Sequence, residues 1–239
     1  MSVSNKLFIM VEAIKKIAQL LLALFVLWNG WILAEIIWWK YHNPTVPTSM
    51  MRQRQVEKLS HQQLPEIKVT WVPYYAIPNS LKRAVIAEED ANFVIHHGFD
   101  WRGIQFALKK DLQSKTIIAG GSTITQQLAK NLFLSSQRNL FRKAEEAMIT
   151  VMLESLWSKK RILEVYLNVI EWGDGVYGCG SASQHYFNLP IRAINISQAA
   201  QLASMIPRPR YYDKHGATKR LINKTNTIQM RMEQIQIPK

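Results

Sequence analysis

Three short segments carry residue types whose order and spacing suit chemistry on a polar, anionic substrate. The first is Glu88-Glu89-Asp90-Ala91-Asn92-Phe93-Val94-Ile95-His96-His97-Gly98, with three consecutive acids in a basic protein. A carboxylate held there can accept a proton from a hydroxyl nucleophile. The same residues also suit the acidic end of a solvated helix, and the pattern alone does not choose. The second is Gly120-Gly121-Ser122-Thr123-Ile124-Thr125-Gln126-Gln127-Leu128-Ala129-Lys130-Asn131. Glycines and hydroxyl residues ahead of a helix leave backbone N–H groups that can hold an anion. Lys130 and Arg138 would add charge beside it. A helix cap with no ligand fits equally well. The third is Arg142-Lys143-Ala144-Glu145-Glu146, where Arg142 and Glu146 stand four apart. A weak surface pair on one helix accounts for that spacing.

Other patterns are excluded on their context. The glycine loop lacks the Gly-Lys-Ser/Thr ending of a nucleotide phosphate loop, so an ATPase is rejected. Gly173, Gly175 and Gly178 fit G-x-G-x-x-G but follow a helical pattern, which argues against a dinucleotide site. His96 and His97 are adjacent rather than at ligand spacing, and no cysteine cluster accompanies them. No G-x-S-x-G elbow and no S-x-x-K motif occur, which removes serine hydrolase and penicillin-type transpeptidase chemistry. The sequons at Asn195 and Asn223 are of a kind common by chance.

The elements that must position these residues are mostly helices. Trp101, Ile104, Leu108 and Leu112 recur at helical spacing. Asn139 to Trp157 carries a broad apolar stripe, and Ile162, Leu163, Tyr166, Leu167 and Ile170 continue it in a further helix. Asn79 or Ser80 is placed to cap a helix from Leu81, and Ser197 to cap the run ending before Pro207. A last helix is predicted near Leu221 to Gln234, and a short strand over Ile67 to Val72. The polar stretch from Gln113 to Ala119 is expected to be a mobile lid.

The 239 residues, 48% of them hydrophobic, can bury one substantial domain with an appendage. Thirty Lys and Arg against 17 Asp and Glu give a net charge of +13, which predicts an anionic partner: nucleic acid, acidic membrane or phosphorylated substrate. Cys179 is the only cysteine, so no intramolecular disulfide forms. From Ile17 to Trp39 the chain reads as a membrane-spanning helix, since ~20 apolar residues suffice to cross a bilayer. Trp28, Trp31, Trp38 and Trp39 crowd its second half, as at a membrane interface. The run is long for a signal peptide, and no small-x-small cleavage site follows closely. Lys6, Lys15 and Lys16 before it are matched by Lys40, Arg52 and Arg54 after it, so flanking charge gives no orientation.

Taken together, EDANFVIHHG, GGSTITQQLAKN, RKAEE, KKRILEVYLN and WGDGVYGCGSASQHYF resemble, in order and spacing, the glycosyltransferase family 51 domain of peptidoglycan synthases. The likeness is to its monofunctional transglycosylases and covers roughly Ala84 to Tyr212. It implies a mainly α, lysozyme-like domain with one N-terminal transmembrane helix, acting on lipid II at the outer face of the bacterial inner membrane. The implied layout is a short cytoplasmic N-terminus (1–16), an anchor (17–39), a juxtamembrane linker (40–70) and a periplasmic catalytic domain (71–239). By motif position, Glu89 is the implied general base and Glu146 the implied donor-side carboxylate. Lys130, Arg138, Arg142 and Lys143 are implied to hold the pyrophosphate, and Asp90, Phe93, His96, Ser122, Thr123 and Gln127 to shape the cleft. No cofactor is obligatory, and a divalent ion (Mg2+ or Mn2+) near Glu146 is left open. Implied partners are lipid II, the growing lipid-linked glycan, membrane lipids and other cell-wall or division proteins, with no nucleic acid. Cys179 and Gly180 depart from the family pattern, where relatives often carry other residues, an acid among them.

Three rival readings weaken against these residues. A glycan-cleaving lysozyme-type enzyme needs no pyrophosphate cluster such as Lys130 with Arg138. An idle scaffold would be expected to lose Glu89 or Glu146. A nucleic-acid binder would need a groove-reading or base-stacking element, and none is recognised.

Overall fold

The computed structural model describes residues 3–44, 47–59, 67, 69–105, 121–137 and 139–239. The expected lid (113–119), Arg138, Leu108 and Leu112 lie outside them. Two compact units are present, Met1–His42 and Asn43–Lys239.

The first unit is helix α1, Val3–Trp39. Its stretch Ile9–Trp39 is long and apolar enough to cross a membrane, so the helix starts well before the expected residue 17. Leu20, Leu21, Leu22, Leu24, Phe25, Val26 and Leu27 are all exposed, as a lipid-facing helix requires. The polar Asn29 is accommodated locally: its Nδ2 donates to the Phe25 carbonyl at 2.8 Å.

The second unit begins at Asn43 rather than at residue 71. The segment read as linker contains helix α2, Ser49–Leu59. Gln53 fastens it to the domain, donating to the Leu134 carbonyl (3.1 Å) and accepting from Ser136 N (2.8 Å). Its polar sequence has no strong apolar stripe, which is why periodicity passed it over.

Helices α3 (Asn79–Glu89), α4 (Ile124–Phe133), α5 (Leu140–Leu156) and α6 (Lys159–Val169) carry the predicted motifs. A short antiparallel hairpin follows, β1 (Glu171–Gly173) and β2 (Val176–Tyr177). Then come α7 (Cys179–Phe187), α8 (Ile196–Met205), α9 (Pro209–His215) and α10 (Lys219–Met232). Residues 101–105 are also helical. The described residues among 67–72 form no strand; the strands fall where the G-x-G-x-x-G match lies.

Helix α3 packs against α8 and α10. Leu81, Ala84, Val85 and Ile86 on α3 are fully buried, and Ala199, Ala200 and Ala203 on α8 let the two axes come close. Each fully buried Leu or Ile contributes roughly 1.5–3 kcal/mol to holding α3 in place. Two caps differ from expectation. Pro78 occupies the N-cap of α3, and Asn79 instead accepts from Lys82 Nζ at 3.1 Å. Helix α8 is capped by Asn195, not Ser197, because Gln198 stands three residues after Asn195 and completes a capping box.

Candidate active site

The acidic triplet ends α3. Glu89 is its last residue, and Asp90 turns the chain away with an extended φ of −165°. Glu89 is partly buried; its Oε2 accepts from Gln127 Nε2 at 2.7 Å, and Oε1 is buried without a partner. Gln127 Oε1 in turn accepts from the Tyr166 hydroxyl at 2.9 Å, which fixes the amide with its NH2 toward Glu89. Burial pushes the Glu89 carboxyl up to about 7; the Gln127 bond opposes this, and the neighbouring Glu88 charge adds to it. Burial likewise holds Tyr166 well above the usual phenol range, so it stays a donor.

Asp90 is 6% exposed and has a different task. Its Oδ1 accepts from His96 Nε2 (2.8 Å) and its Oδ2 from the backbone N of Ile124 (3.0 Å), the first residue of α4. The anion at this helix N-terminus is therefore the protein's own carboxylate. Of the two readings of the glycine-rich segment, an anion site or a helix cap, the geometry is that of the cap: Thr123 Oγ1 accepts from Gln126 N, and Gln126 Oε1 accepts from Thr123 N in a capping box. Thr123 Oγ1 also donates to the Gly98 carbonyl at 2.7 Å, tying the end of the first motif to the second. Gly98 has φ +86°, and a Cβ there would come within 2.8 Å of Thr150 Cγ2. Phe93 is fully buried, with Lys159 Nζ 4.5 Å from its ring centroid.

The third motif lies on the first turns of α5, which Asn139 caps. Glu146 is 3% exposed, so the pair with Arg142 is not a surface ornament. Arg142 Nη1 donates to Glu146 Oε2 at 2.7 Å, and Lys143 Nζ donates to Oε1. Lys143 Nζ also reaches Ser122 Oγ at 3.2 Å, while Thr150 Oγ1 donates to the Glu146 carbonyl at 2.7 Å. Ser122 and Thr123 thus join the Glu146 cluster to the Glu89 side. Lys130 lines a polar cavity of about 300 Å³ together with Arg142.

Both Glu146 oxygens are taken by cations, and among the described residues no three His, Cys, Asp or Glu side chains converge as a metal site. That donor set does not fit Mg2+ or Mn2+, which need carboxylate oxygens free to coordinate.

Several contributors carry no signal in the sequence that singles them out. Tyr166 lies inside an apolar stripe that reads as core, although a buried Tyr hydroxyl needs a partner. Glu88 pairs with Lys224 of α10. Glu154 on α5 accepts from Lys159 Nζ (2.8 Å) and from Thr125 Oγ1. Only tertiary contact reveals the last two, because their partners are not at helical spacing.

Residues 54–233 match the Transglycosylase family. The chain is 53% identical over 218 residues to a biosynthetic peptidoglycan transglycosylase of Laribacter hongkongensis, covering 91% of this chain and 95% of the relative. Similar proteins of the same name come from Chromobacterium violaceum (51% over 223 residues, 93% and 97%) and Methylobacillus flagellatus (52% over 221 residues, 92% and 95%). With its helical domain, its apolar N-terminal helix and this similarity along most of its length, the chain belongs to the transglycosylase family.

Proposed function

We propose that the protein is a peptidoglycan glycosyltransferase that polymerises lipid II into β-1,4-linked glycan strands. It works as a single-pass protein of the bacterial inner membrane, with α1 as anchor and the second unit on the periplasmic side. The observation that carries the reading is Glu89: a partly buried carboxyl raised to about 7, with one oxygen held and the other without a partner. Such a group takes up a proton at neutral pH more readily than a solvated carboxylate.

In this reading Glu89 accepts the proton of the acceptor's GlcNAc 4-hydroxyl. The oxygen attacks C1 of the donor MurNAc from the face opposite the diphosphate, the new C–O bond forms, and the bond to the leaving oxygen breaks with inversion. The electron pair departs on undecaprenyl pyrophosphate, whose charge Lys130, Arg142 and Lys143 stabilise, with Arg138 as a fourth candidate. Glu146 holds Arg142 and Lys143 at the donor side. Asp90 and His96 brace the turn after Glu89, and Phe93, Thr123 and Gln127 shape the cleft. The similar proteins carry a name matching this reaction.

The test is gel-resolved polymerisation of labelled lipid II by the detergent-solubilised protein and its Glu89→Gln variant. Polymer from the first and almost none from a folded variant is the expected result. Equal polymer from both would discard Glu89 as base, and no polymer from either, where a known polymerase works, would discard the activity.

A further inference from the structure

The acidic triplet at the end of α3 sets three like charges on neighbouring residues, and such charges hold one another's protons unless each meets a partner. Two of the three are met. Asp90 takes His96 and the first N–H of α4. Glu88 takes Lys224, whose Nζ contacts its Oε1. Glu89, between them, has a neutral amide on one oxygen and no partner on the other.

Lys224 stands beyond the stretch from Ala84 to Tyr212 that the motifs cover, and the packing of α10 brings it back to them. Leu221, Thr225, Ile228 and Met232 form the buried face of α10, and Thr225 Oγ1 donates to Ser204 Oγ of α8 at 3.3 Å. The helix is thereby seated against both α8 and α3. The side chains of Lys224 and Glu88 are only 29% and 13% exposed, so water and salt screen this pair less than a surface pair.

Few other charges act there. Helix α8 has no ionisable side chain, and Tyr166 of α6 stays protonated. Burial raises Glu88, against which Lys224 acts first and Arg231 of the same helix after it. Burial also does most to favour the protonated form of Glu89, and the Gln127 bond opposes it. Next come the charge of Glu88, which adds to the effect of burial, that of Lys224, which counters it, and that of Asp90, which adds. At Glu89 the charges of Glu88 and Lys224 therefore pull in opposite directions.

We propose that Lys224 is a positioning residue for Glu89: by holding the charge of Glu88, it fixes the pH range over which Glu89 exchanges its proton. The inference rests on the reading of Glu89 as base only for its effect on rate. It extends the site to the last helix of the chain.

The experiment follows the Glu89 carboxyl by NMR across pH in the full-length protein in detergent, with isotope-labelled glutamate and the signal identified by its loss in Glu89→Gln. Lys224→Gln should move the Glu89 midpoint upward by roughly 0.5–1 in pH. Glu88→Gln leaves the Lys224 charge unopposed and should move it downward. The double variant should fall between the two, and Lys224→Arg, which keeps the charge, should stay with the wild type. A merely loosened α10 would expose Glu89 and lower the midpoint in every variant, so opposite shifts are the signature. A Lys224→Gln midpoint within about 0.2 of wild type would overturn the proposal, as would both single variants moving the same way. If Glu88→Gln fails to fold, Lys224→Gln against Lys224→Arg decides, and equal shifts in those two would overturn it. Lipid II polymerisation is read over the same pH range. A rate profile whose acidic limb follows the Glu89 midpoint ties Lys224 to the reaction. A midpoint that moves without the rate profile would keep the hold of Lys224 on Glu89 and discard Glu89 as base.

Discussion

Glu89 and Glu146 belong to one helical unit, and their surroundings differ in kind. Glu89 ends a helix, meets a neutral amide through one oxygen and leaves the other without a partner. Glu146 lies within a helix, is almost fully covered, and has a cation on each oxygen. A carboxylate left short of partners keeps its proton to higher pH and is fitted to exchange it. One saturated with cations is fitted to hold them in place. The comparison teaches that residue type assigns neither role; partners and burial do.

The largest effect that sharpens this contrast is on rate. Glu89→Gln should lower polymerisation by about 10²–10⁴-fold, the usual span for a lost general base. Stability should move the other way. The Glu89 carboxyl is raised from 4.5 to about 7 on folding, so between those pH values the folded chain binds more protons than the unfolded one and stability falls as pH rises. Above 7 the cost is constant, and the glutamine variant should be more stable there by on the order of 1 kcal/mol, read from Tm.

Glu146→Gln should do the reverse. It leaves Arg142 and Lys143 without their counter-charge, with a loss of on the order of 2 kcal/mol in denaturant unfolding. Its activity should drop by about 10–100-fold, less than for Glu89, as expected when charge stabilisation is disordered and not deleted. Equal stability losses in both variants would break the comparison.

A pH profile separates the two carboxylates further. Initial rates should rise with pH through about 7 and level off above, as Glu89 becomes ionised and able to accept a proton. A wild-type profile flat across neutrality would remove Glu89 from the rate-determining step. The smallest expected effect is Tyr166→Phe, which deletes the hydroxyl that orients Gln127. A loss of about 1 kcal/mol, or severalfold in rate with the acidic limb displaced, would show that Gln127 is held and not merely adjacent.

The helices were legible in the sequence because their apolar stripes repeat at 3.6 residues, as in α5 and α6. The cap of α8 was legible in principle, since Asn195 and Gln198 spell a capping box. Helix α2 was not, because a polar helix clamped by Gln53 shows no stripe to count. The strand pair was not, because β1 and β2 are too short to alternate and depend on each other.

By itself, the sequence determined the identity of the motifs, their order, the apolar N-terminal helix and the surplus of positive charge. These are properties of residue type and spacing along one chain. Only the tertiary structure decided that Asp90 caps α4 while Glu89 keeps a free oxygen. It also decided that Glu146 is buried between its cations and that Lys224 pairs with Glu88. Burial and electrostatic partnership arise between segments far apart in the chain, and they set whether a carboxylate exchanges a proton or anchors a charge.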